Sequence, residues 1–315
     1  MNKKILWLVV LVAFGTLLMA GCQKGPEGVV AEVNGEQITR EKFDAEYSYM
    51  RNYTAKQNGE AFLDQLDQDG IAHKYQLAKN VLKSLEDRTA ILQDAKAIGV
   101  EVTDEAIAAE LEKLKAQING ESETDTAYQE YLTSNGMDET FLTENIRLQL
   151  LMKEYERVKM EKMTIDAKEI ENYYNEHKEE LVQVETGGIL VKTKEEADAV
   201  KAKLDEGADF AETAKEFSID QVTAANGGSF GYSYRGMFSA EIEEVVFGLK
   251  VGEYSEPTES ENGYYILAAL NRKESLEDVK DVVETIIKRQ NFQDEMQKLV
   301  KDAKIKEYLD YKTVE

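Results

Sequence analysis

The chain has 315 residues and a formal net charge of −24 at pH 7, with one cysteine and two histidines. The length predicts two domains, and the negative charge argues against nucleic acid or anionic lipid headgroups as partners. The single cysteine excludes disulfide chemistry, and no histidine or cysteine spacing typical of zinc ligands occurs, so no metal and no cofactor is expected.

The N-terminus has the organisation of an export signal. Lys3 and Lys4 precede an apolar run over residues 5–20, which is shorter than the ~20 residues that a membrane-spanning helix needs. Small residues then lead into Cys22, an order that resembles the bacterial lipobox, although Met19 stands where leucine is usual. The resemblance implies cleavage before Cys22, acylation of its thiol and a lipid anchor at the outer face of the cell membrane. The alternative is an ordinary signal peptide with a chance cysteine.

The first half of the mature chain is predicted to be mainly helical. Residues 29–33 and Gln37-Ile38 predict two short strands joined by an Asn34-Gly35 turn. Apolar side chains then recur at helical spacing in successive segments, with a polar loop expected at residues 119–126. The helical stripes are Phe43, Tyr47 and Met50; Leu77, Val81, Leu82 and Leu85; Ile107, Leu111, Leu114 and Ile118; and Phe141, Ile146 and Leu150.

The sequence pattern changes near Val182. Ile189-Leu190-Val191 predicts a buried strand, and two capping sequences, Thr193-x-x-Glu196 and Asp209-x-x-Glu212, each predict the start of a helix. A glycine-rich turn region, a third helix and a strand at residues 264–270 follow. The order strand, helix, helix, helix, strand predicts a compact α+β domain. A long helix beginning at Ser275 and a short strand at Lys304-Ile305-Lys306 complete the chain.

Several blocks in this second region together resemble a parvulin domain, the rotamase module of peptidylprolyl isomerases. The blocks are Ile189-Leu190-Val191, Gly207-Ala208-Asp209-Phe210, Ala214-Lys215-Glu216-Phe217-Ser218, Gly227-Gly228-x-Phe230-Gly231, Arg235-Gly236, Gly252-Glu253-Tyr254-Ser255-Glu256-Pro257 and Gly263-Tyr264. The flanking segments 33–39, 99–103 and 301–305 are similar to PrsA- and SurA-type foldases, and the lipid anchor favours the PrsA type.

The resemblance implies a fold class and a division of the chain. We expect an α+β protein, in which a mainly helical chaperone module contains an inserted parvulin-like domain. The expected segments are a signal peptide at 1–21, a tether at 22–28, a helical chaperone segment at 29–181, the parvulin-like domain at 182–273 and a C-terminal helix at 274–315.

The resemblance also assigns the candidate site residues. Parvulins carry a histidine just before the first strand core and another near the final strand, where this chain has Gly188 and Tyr265. Asp220 matches the family's Asp/Cys position. Its alternative role is that of a helix-end or turn aspartate. An apolar proline pocket is expected from Phe230, Phe238 and Ile242, for which the alternative is plain core packing.

These observations predict a membrane-anchored extracytoplasmic foldase or chaperone for secreted proteins. Its partners would be unfolded or partly folded polypeptides, and its isomerase activity would be weak or absent because both family histidines are replaced. Two alternatives remain at this point. The first is an active prolyl isomerase in which Asp220 and Tyr265 suffice, and the second is a surface lipoprotein that captures a ligand.

Overall fold

The structure is a computed structural model that describes residues 25–120 and 125–314. The predicted signal peptide and Cys22 lie outside the described residues. Within the described part, no helix combines the length and the apolar character needed to cross a membrane.

Two sets of elements follow one another along the chain. The first set comprises β1 (Val29–Val33), β2 (Glu36–Thr39), α1 (Arg40–Asn58), α2 (Glu60–Asp64), α3 (His73–Ala97), α4 (Asp104–Asn119), α5 (Thr126–Ser134) and α6 (Glu139–Lys162). The second set comprises α7 (Ala167–Glu176), α8 (Lys178–Leu181), β3 (Gln183–Val191), α9 (Lys194–Asp205), α10 (Phe210–Phe217), α11 (Gln221–Ala224), β4 (Ser229–Ser233), α12 (Ala240–Gly248), β5 (Thr258–Ser260), β6 (Gly263–Lys273), α13 (Leu276–Asp302), β7 (Ile305–Glu307) and the single-turn helix η1 (Tyr311–Thr313).

The chain forms two compact units. The first contains the described residues up to 158 together with 295–314, and the second contains residues 159–294. The limits expected for the inserted domain, 182 and 273, both lie within the second unit. The helical modules and the α+β architecture agree with the predicted fold class.

A small sheet and two long helices form one core of the first unit. The sheet has the order β2-β1-β7, so the central strand β1 pairs with neighbours from both ends of the chain. Asn34 adopts a left-handed φ of 52° in the predicted turn between β1 and β2. Phe43 and Tyr47 of α1 stack with ring centroids 5.8 Å apart. They pack with Leu82 and other apolar residues of α3, as the helical stripes predicted.

A second core in this unit joins α4, α5 and α6. Ile107, Tyr128, Leu132, Leu142 and Ile146 are its buried members. The sequence pattern missed α5, because this helix is short and its buried residues are only a single i, i+4 pair within a polar segment. The loop predicted at residues 119–126 ends at Thr126, which is the first residue of α5.

The second unit contains a four-stranded antiparallel sheet with the order β4-β3-β6-β5. Both predicted helix starts in this unit are confirmed. Thr193 and Glu196 form a reciprocal capping box, and the Asp209 side chain accepts a hydrogen bond from the Glu212 N–H. The predicted element order was incomplete, since it lacked β4 and β5. These edge strands are short and glycine-rich or polar, so they lack the alternating apolar pattern that identifies a strand.

We predict that Leu82→Ala destabilises the first unit by about 2–5 kcal/mol, because the fully buried side chain leaves a cavity in the α1–α3 core. Urea titration monitored by hydrogen exchange at α3 amides measures the loss. The matched control is Leu66→Ala, since Leu66 is 66% exposed. Equal losses at both positions would contradict the assignment of Leu82 to the core.

Candidate functional site

The β3–β6 ladder presents two different faces. In its register Gly188 pairs with Leu267 and Leu190 pairs with Tyr265. Because side chains alternate along a strand, Ile189, Val191 and Ile266 point to the opposite face, where they pack with residues of α9 and α10. The face of Tyr265 and Leu267 packs against α12. We call this side of the sheet, which carries Tyr265 and Leu267, the α12 face.

Gly188 lies directly beneath the ring of Phe230. A Cβ atom at Gly188 would lie 2.5 Å from Cε2 of Phe230 and 3.3 Å from Cδ1 of Tyr265. The two rings meet edge to face, with centroids 6.3 Å apart. The space beside the strand at this glycine is therefore filled by aromatic carbon, and no side chain at position 188 fits without moving Phe230.

The loop before β4 brings Phe230 to this position. The Gly188 N–H donates to the carbonyl of Gly228 at 2.9 Å. Gly228 has φ of +80°, and a Cβ there would lie 2.9 Å from the carbonyl oxygen of Gly188. Only glycine allows this close approach of the two backbones in this conformation. The predicted glycine-rich region thus has a structural reason, and it sets the distance between Phe230 and the sheet.

Asp220 has a clear local role. Its carboxylate caps α11 by accepting from the Val222 N–H at 3.1 Å, and it also accepts from the Thr223 hydroxyl at 2.7 Å. This is the helix-end role that the sequence left open as an alternative. The same carboxylate also influences Tyr265, whose pKa is raised by burial and then by the negative charge of Asp220. Tyr265 is therefore a neutral hydroxyl at ordinary pH.

Ser218 holds the Asp220 segment against the sheet. Its buried hydroxyl accepts from the Leu190 N–H at 3.2 Å, and the Ile219 N–H donates to the Leu190 carbonyl at 2.8 Å. Since Leu190 is the register partner of Tyr265, this clamp attaches the Asp220 segment to β3 at the position opposite the tyrosine on β6. The sequence showed Ser218 only as part of a motif, and nothing in its spacing indicated a positioning role.

The remaining predicted pocket residues lie at and before α12. Ile242 is half-buried and packs in the same cluster as Tyr265. Phe238 is half-buried in the segment that precedes α12. Phe230 is 40% exposed and Met237 is 48% exposed, so these apolar side chains are open to solvent rather than sealed in a core. The structure brings Phe230, Tyr265, Ile242 and Asp220 to the α12 face, and their roles in binding stay a prediction.

A recess that the sequence did not suggest lies beside α9 and α10. Its volume is about 490 Å³, and Val200, Phe217 and Ile219 are among its lining residues. The Lys203 ammonium group lies 4.7 Å from the centroid of the Phe217 ring. Exposed Ile219 directly precedes Asp220, which connects this recess to the predicted site.

Comparison with known families covers both units. Residues 1–156 match the SurA-like N-terminal domain family, and residues 167–271 match the PPIC-type PPIASE domain family. The foldase protein PrsA of Geobacillus kaustophilus is 30% identical over 305 residues, which cover 94% of this chain and 92% of that protein. The foldase protein PrsA of Caldanaerobacter subterraneus is 31% identical over 322 residues, covering 98% and 97%.

The chain belongs to the PrsA foldase family. Among solved structures, that of the peptidylprolyl isomerase PrsA from Bacillus anthracis is similar, with 27% identity, coverage of 70% of this chain and 94% of that chain, and a TM-score of 0.32. The family assignment confirms the resemblance drawn from the sequence blocks.

Across residues 25–120 and 125–314, no three side chains of His, Cys, Asp or Glu come together in a way that would hold an ion. Residues 182–272 contain no histidine at all. The predicted site residues Tyr265 and Asp220 contribute a hydroxyl and a carboxylate, which are able to donate and accept hydrogen bonds.

We predict that Gly188→Ala destabilises the second unit by about 1–3 kcal/mol, because the new methyl group displaces the Phe230 ring. Hydrogen exchange at β3 and β6 amides in urea measures this loss. The matched control is Gly248→Ala at the end of α12, where an added Cβ has no atom within 4 Å. That variant is expected to be as stable as the parent or slightly more stable. A Gly188→Ala protein of unchanged stability would contradict the close seating of Phe230.

Proposed function

We propose that this protein is an extracytoplasmic foldase, anchored to the membrane by a lipid on Cys22, that assists the folding of secreted proteins. Membership of the PrsA foldase family supports the foldase activity. The apolar run at residues 5–20 and the small residues before Cys22 support export and acylation. Its partners are unfolded or partly folded polypeptides, which expose the apolar segments that a chaperone binds.

The parvulin-like unit binds extended or proline-containing segments but has weak or no isomerase activity. The single observation that carries this proposal is the Phe230 ring above Gly188, 2.5 Å from where a Cβ would lie. Aromatic carbon occupies the site beside the strand where the family resemblance expects an imidazole. Fewer polar groups than in a histidine-bearing parvulin would therefore surround a twisting amide, while the apolar surface that holds a peptide is retained.

Exposed apolar side chains support peptide binding at this unit. Ile219 and Val222 flank Asp220, and Phe230 and Met237 lie on β4 and in the loop after it. Large side chains exposed near one another ordinarily mark an interaction surface, since their contact with water is unfavourable. A client segment that covers them gains free energy in proportion to the apolar area buried.

A second candidate function is active prolyl isomerisation, and the proximity of Asp220 and Tyr265 favours it. The barrier to rotation about an X–Pro bond is about 18–20 kcal/mol, and an isomerase must stabilise the twisted amide relative to the planar one. A neutral Tyr265 hydroxyl is able to donate a hydrogen bond to that amide. Against this function, Asp220 already accepts hydrogen bonds from Val222 and Thr223, so less of its capacity is left for orienting the tyrosine.

We predict that the soluble fragment beginning after Cys22 suppresses aggregation of an unfolded client but isomerises a prolyl tetrapeptide slowly. The expected turnover is at most about one hundredth of that of a histidine-bearing parvulin, because positioned polar groups typically contribute factors of this size or larger. A protease-coupled assay and a light-scattering assay measure the two activities. Comparable turnover that Tyr265→Phe abolishes would support the second function instead.

We predict that Phe230→Ala weakens binding of a fluorescent proline-containing peptide about tenfold or more, because the exposed ring above Gly188 is removed. Fluorescence anisotropy with the same soluble fragment measures the affinity. Tyr53→Ala is the control, since Tyr53 is also exposed but lies in the other unit. Loss of affinity in both variants, or in neither, would argue against a peptide site at Phe230.

We predict that Cys22→Ser abolishes incorporation of a labelled fatty acid and releases the protein from the membrane fraction. Acyl chains stabilise membrane binding by about 0.8 kcal/mol per buried methylene group, so removal of the acceptor thiol removes the anchor. Metabolic labelling and fractionation of the producing cell check both effects. Labelling of the serine variant equal to that of the parent would show that another residue is acylated, and a parent protein without label would show that no lipid anchor exists.

A further inference from the structure

Glu86 is a buried carboxyl group in the core of the first unit. Only 1% of the residue is exposed, and it lies on α3 next to Leu85 and one turn after Leu82. Among residues 25–120 and 125–314, no donor lies within hydrogen-bond distance of its Oε1 atom. An ionised carboxylate in this position loses its hydration without compensation, which is strongly unfavourable. The neutral acid is therefore the form that suits the closed structure.

The C-terminal segment covers this part of α3. We define the C-terminal strap as residues 303–314. Its strand β7 pairs with β1, and the N–H groups of Tyr308 and Leu309 donate to the Val30 carbonyl at 2.8 and 3.2 Å. Apolar residues of the strap, including Val314 at its end, pack on the same core cluster as Leu82. The strap thus depends on one strand pairing and on apolar contact with α3.

The strap brings a second carboxylate towards Glu86. Glu307 follows Ile305 by two residues on β7, so the two side chains leave the strand on the same side; Ile305 packs on the core cluster and Glu307 is exposed. The Tyr311 hydroxyl of η1 donates to Oε2 of Glu307 at 2.8 Å. The charges of Glu307 and Glu86 repel each other, and the charge of Glu86 also acts on Tyr311.

The cations near Glu86 are already engaged with other carboxylates. On its own helix, Lys83 forms an ion pair with Asp87. Arg88 of the same helix forms an ion pair with Glu46 of α1, with Nη2 and Oε1 2.6 Å apart. Neither pair includes Glu86, and the attraction of Lys83, which lowers the pKa of Glu86, is smaller than the effects of burial and of the Glu307 charge, which raise it.

We propose that Glu86 is a pH-sensitive latch for the C-terminal strap: its protonated carboxyl allows the strap to close over α3, and its ionisation opens the strap. Opening restores water to the carboxylate, separates it from Glu307 and exposes the apolar face of α3. Glu86 and the C-terminal strap belong to the first unit, whereas Phe230 belongs to the second. The proposal therefore does not depend on whether the protein isomerises prolyl bonds.

The direction of the pH effect follows from the shift of the ionisation equilibrium. Burial, and then the charge of Glu307, raise the pKa of Glu86 from 4.5 to about 7. In the open strap the side chain is hydrated, and its pKa returns towards 4.5. The closed state therefore retains a proton that the open state loses, and closure is fully favoured below about pH 4.5 and lost as the pH rises through about 7.

Hydrogen exchange at the Tyr308 and Leu309 amides tests the latch in the complete mature chain. After correction for the intrinsic pH dependence of exchange, protection of the strap should fall about a hundredfold between about pH 5 and about pH 8. Glu86→Gln should remove most of this fall, because the amide does not ionise. Glu105→Gln, at an exposed position at the start of α4, should retain it.

Three results would overturn the proposal. They are a protection factor independent of pH in the parent protein, an unchanged fall in Glu86→Gln, and a fall removed equally by Glu105→Gln.

If Glu86→Gln does not fold, NMR titration of the Glu86 carboxyl carbon in the parent protein decides instead. A midpoint near 7 supports the latch, and a midpoint near 4.5 rejects it. Glu307→Gln should reduce the fall without removing it, since burial is the larger cause of the shift.

Discussion

The pairing of β3 with β6 is the interaction on which the candidate site depends. It runs from Gln183 opposite Lys273 to Val191 opposite Tyr264, with one irregularity between Glu185 and Thr186. A slip of β6 by one residue would move Tyr265 to the face of α9 and α10 and leave Gly188 on the original face, because side chains alternate with a period of two. The register is held by burial on both faces, since Ile189 packs on one side and Leu267 on the other. Every site residue is positioned relative to this ladder, directly or through the Leu190–Ser218 clamp.

The first unit depends on a comparable central strand, β1, which pairs with the adjacent strand β2 on one side and with the distant strand β7 on the other. The Asn34 N–H donates to the Lys304 carbonyl at 2.9 Å, and Lys304 in turn donates to the Asn34 side chain. Such pairing forms only after a large loop has closed, which is entropically unfavourable until the apolar contacts accompany it. This explains why a C-terminal segment of a dozen residues is suited to reversible opening: it is held by few hydrogen bonds and one apolar cluster.

The two units distribute polar groups in opposite ways. At the α12 face, the polar groups are few and are already used by the fold, as Asp220 shows in capping α11. In the first unit, Glu86 is a polar group that the fold buries without a partner. A binding surface tolerates the first arrangement, since apolar contact supplies the affinity. The second arrangement disfavours the ionised form of Glu86 in the closed structure, and this energetic cost is what the proposed latch uses.

The family, the general fold class and most helices followed from the sequence alone, because helix periods and capping sequences such as Thr193-x-x-Glu196 depend on residues close together in the chain. Short elements such as α5 and β4 did not follow, since their few residues carry no periodic pattern. Only the tertiary structure decided that Phe230 lies over Gly188, that Ser218 holds the Asp220 segment to Leu190, and that the C-terminal strap packs on the core beside the buried Glu86. Each of these contacts joins residues far apart in sequence, and packing in three dimensions, rather than local preference, determines which side chains meet.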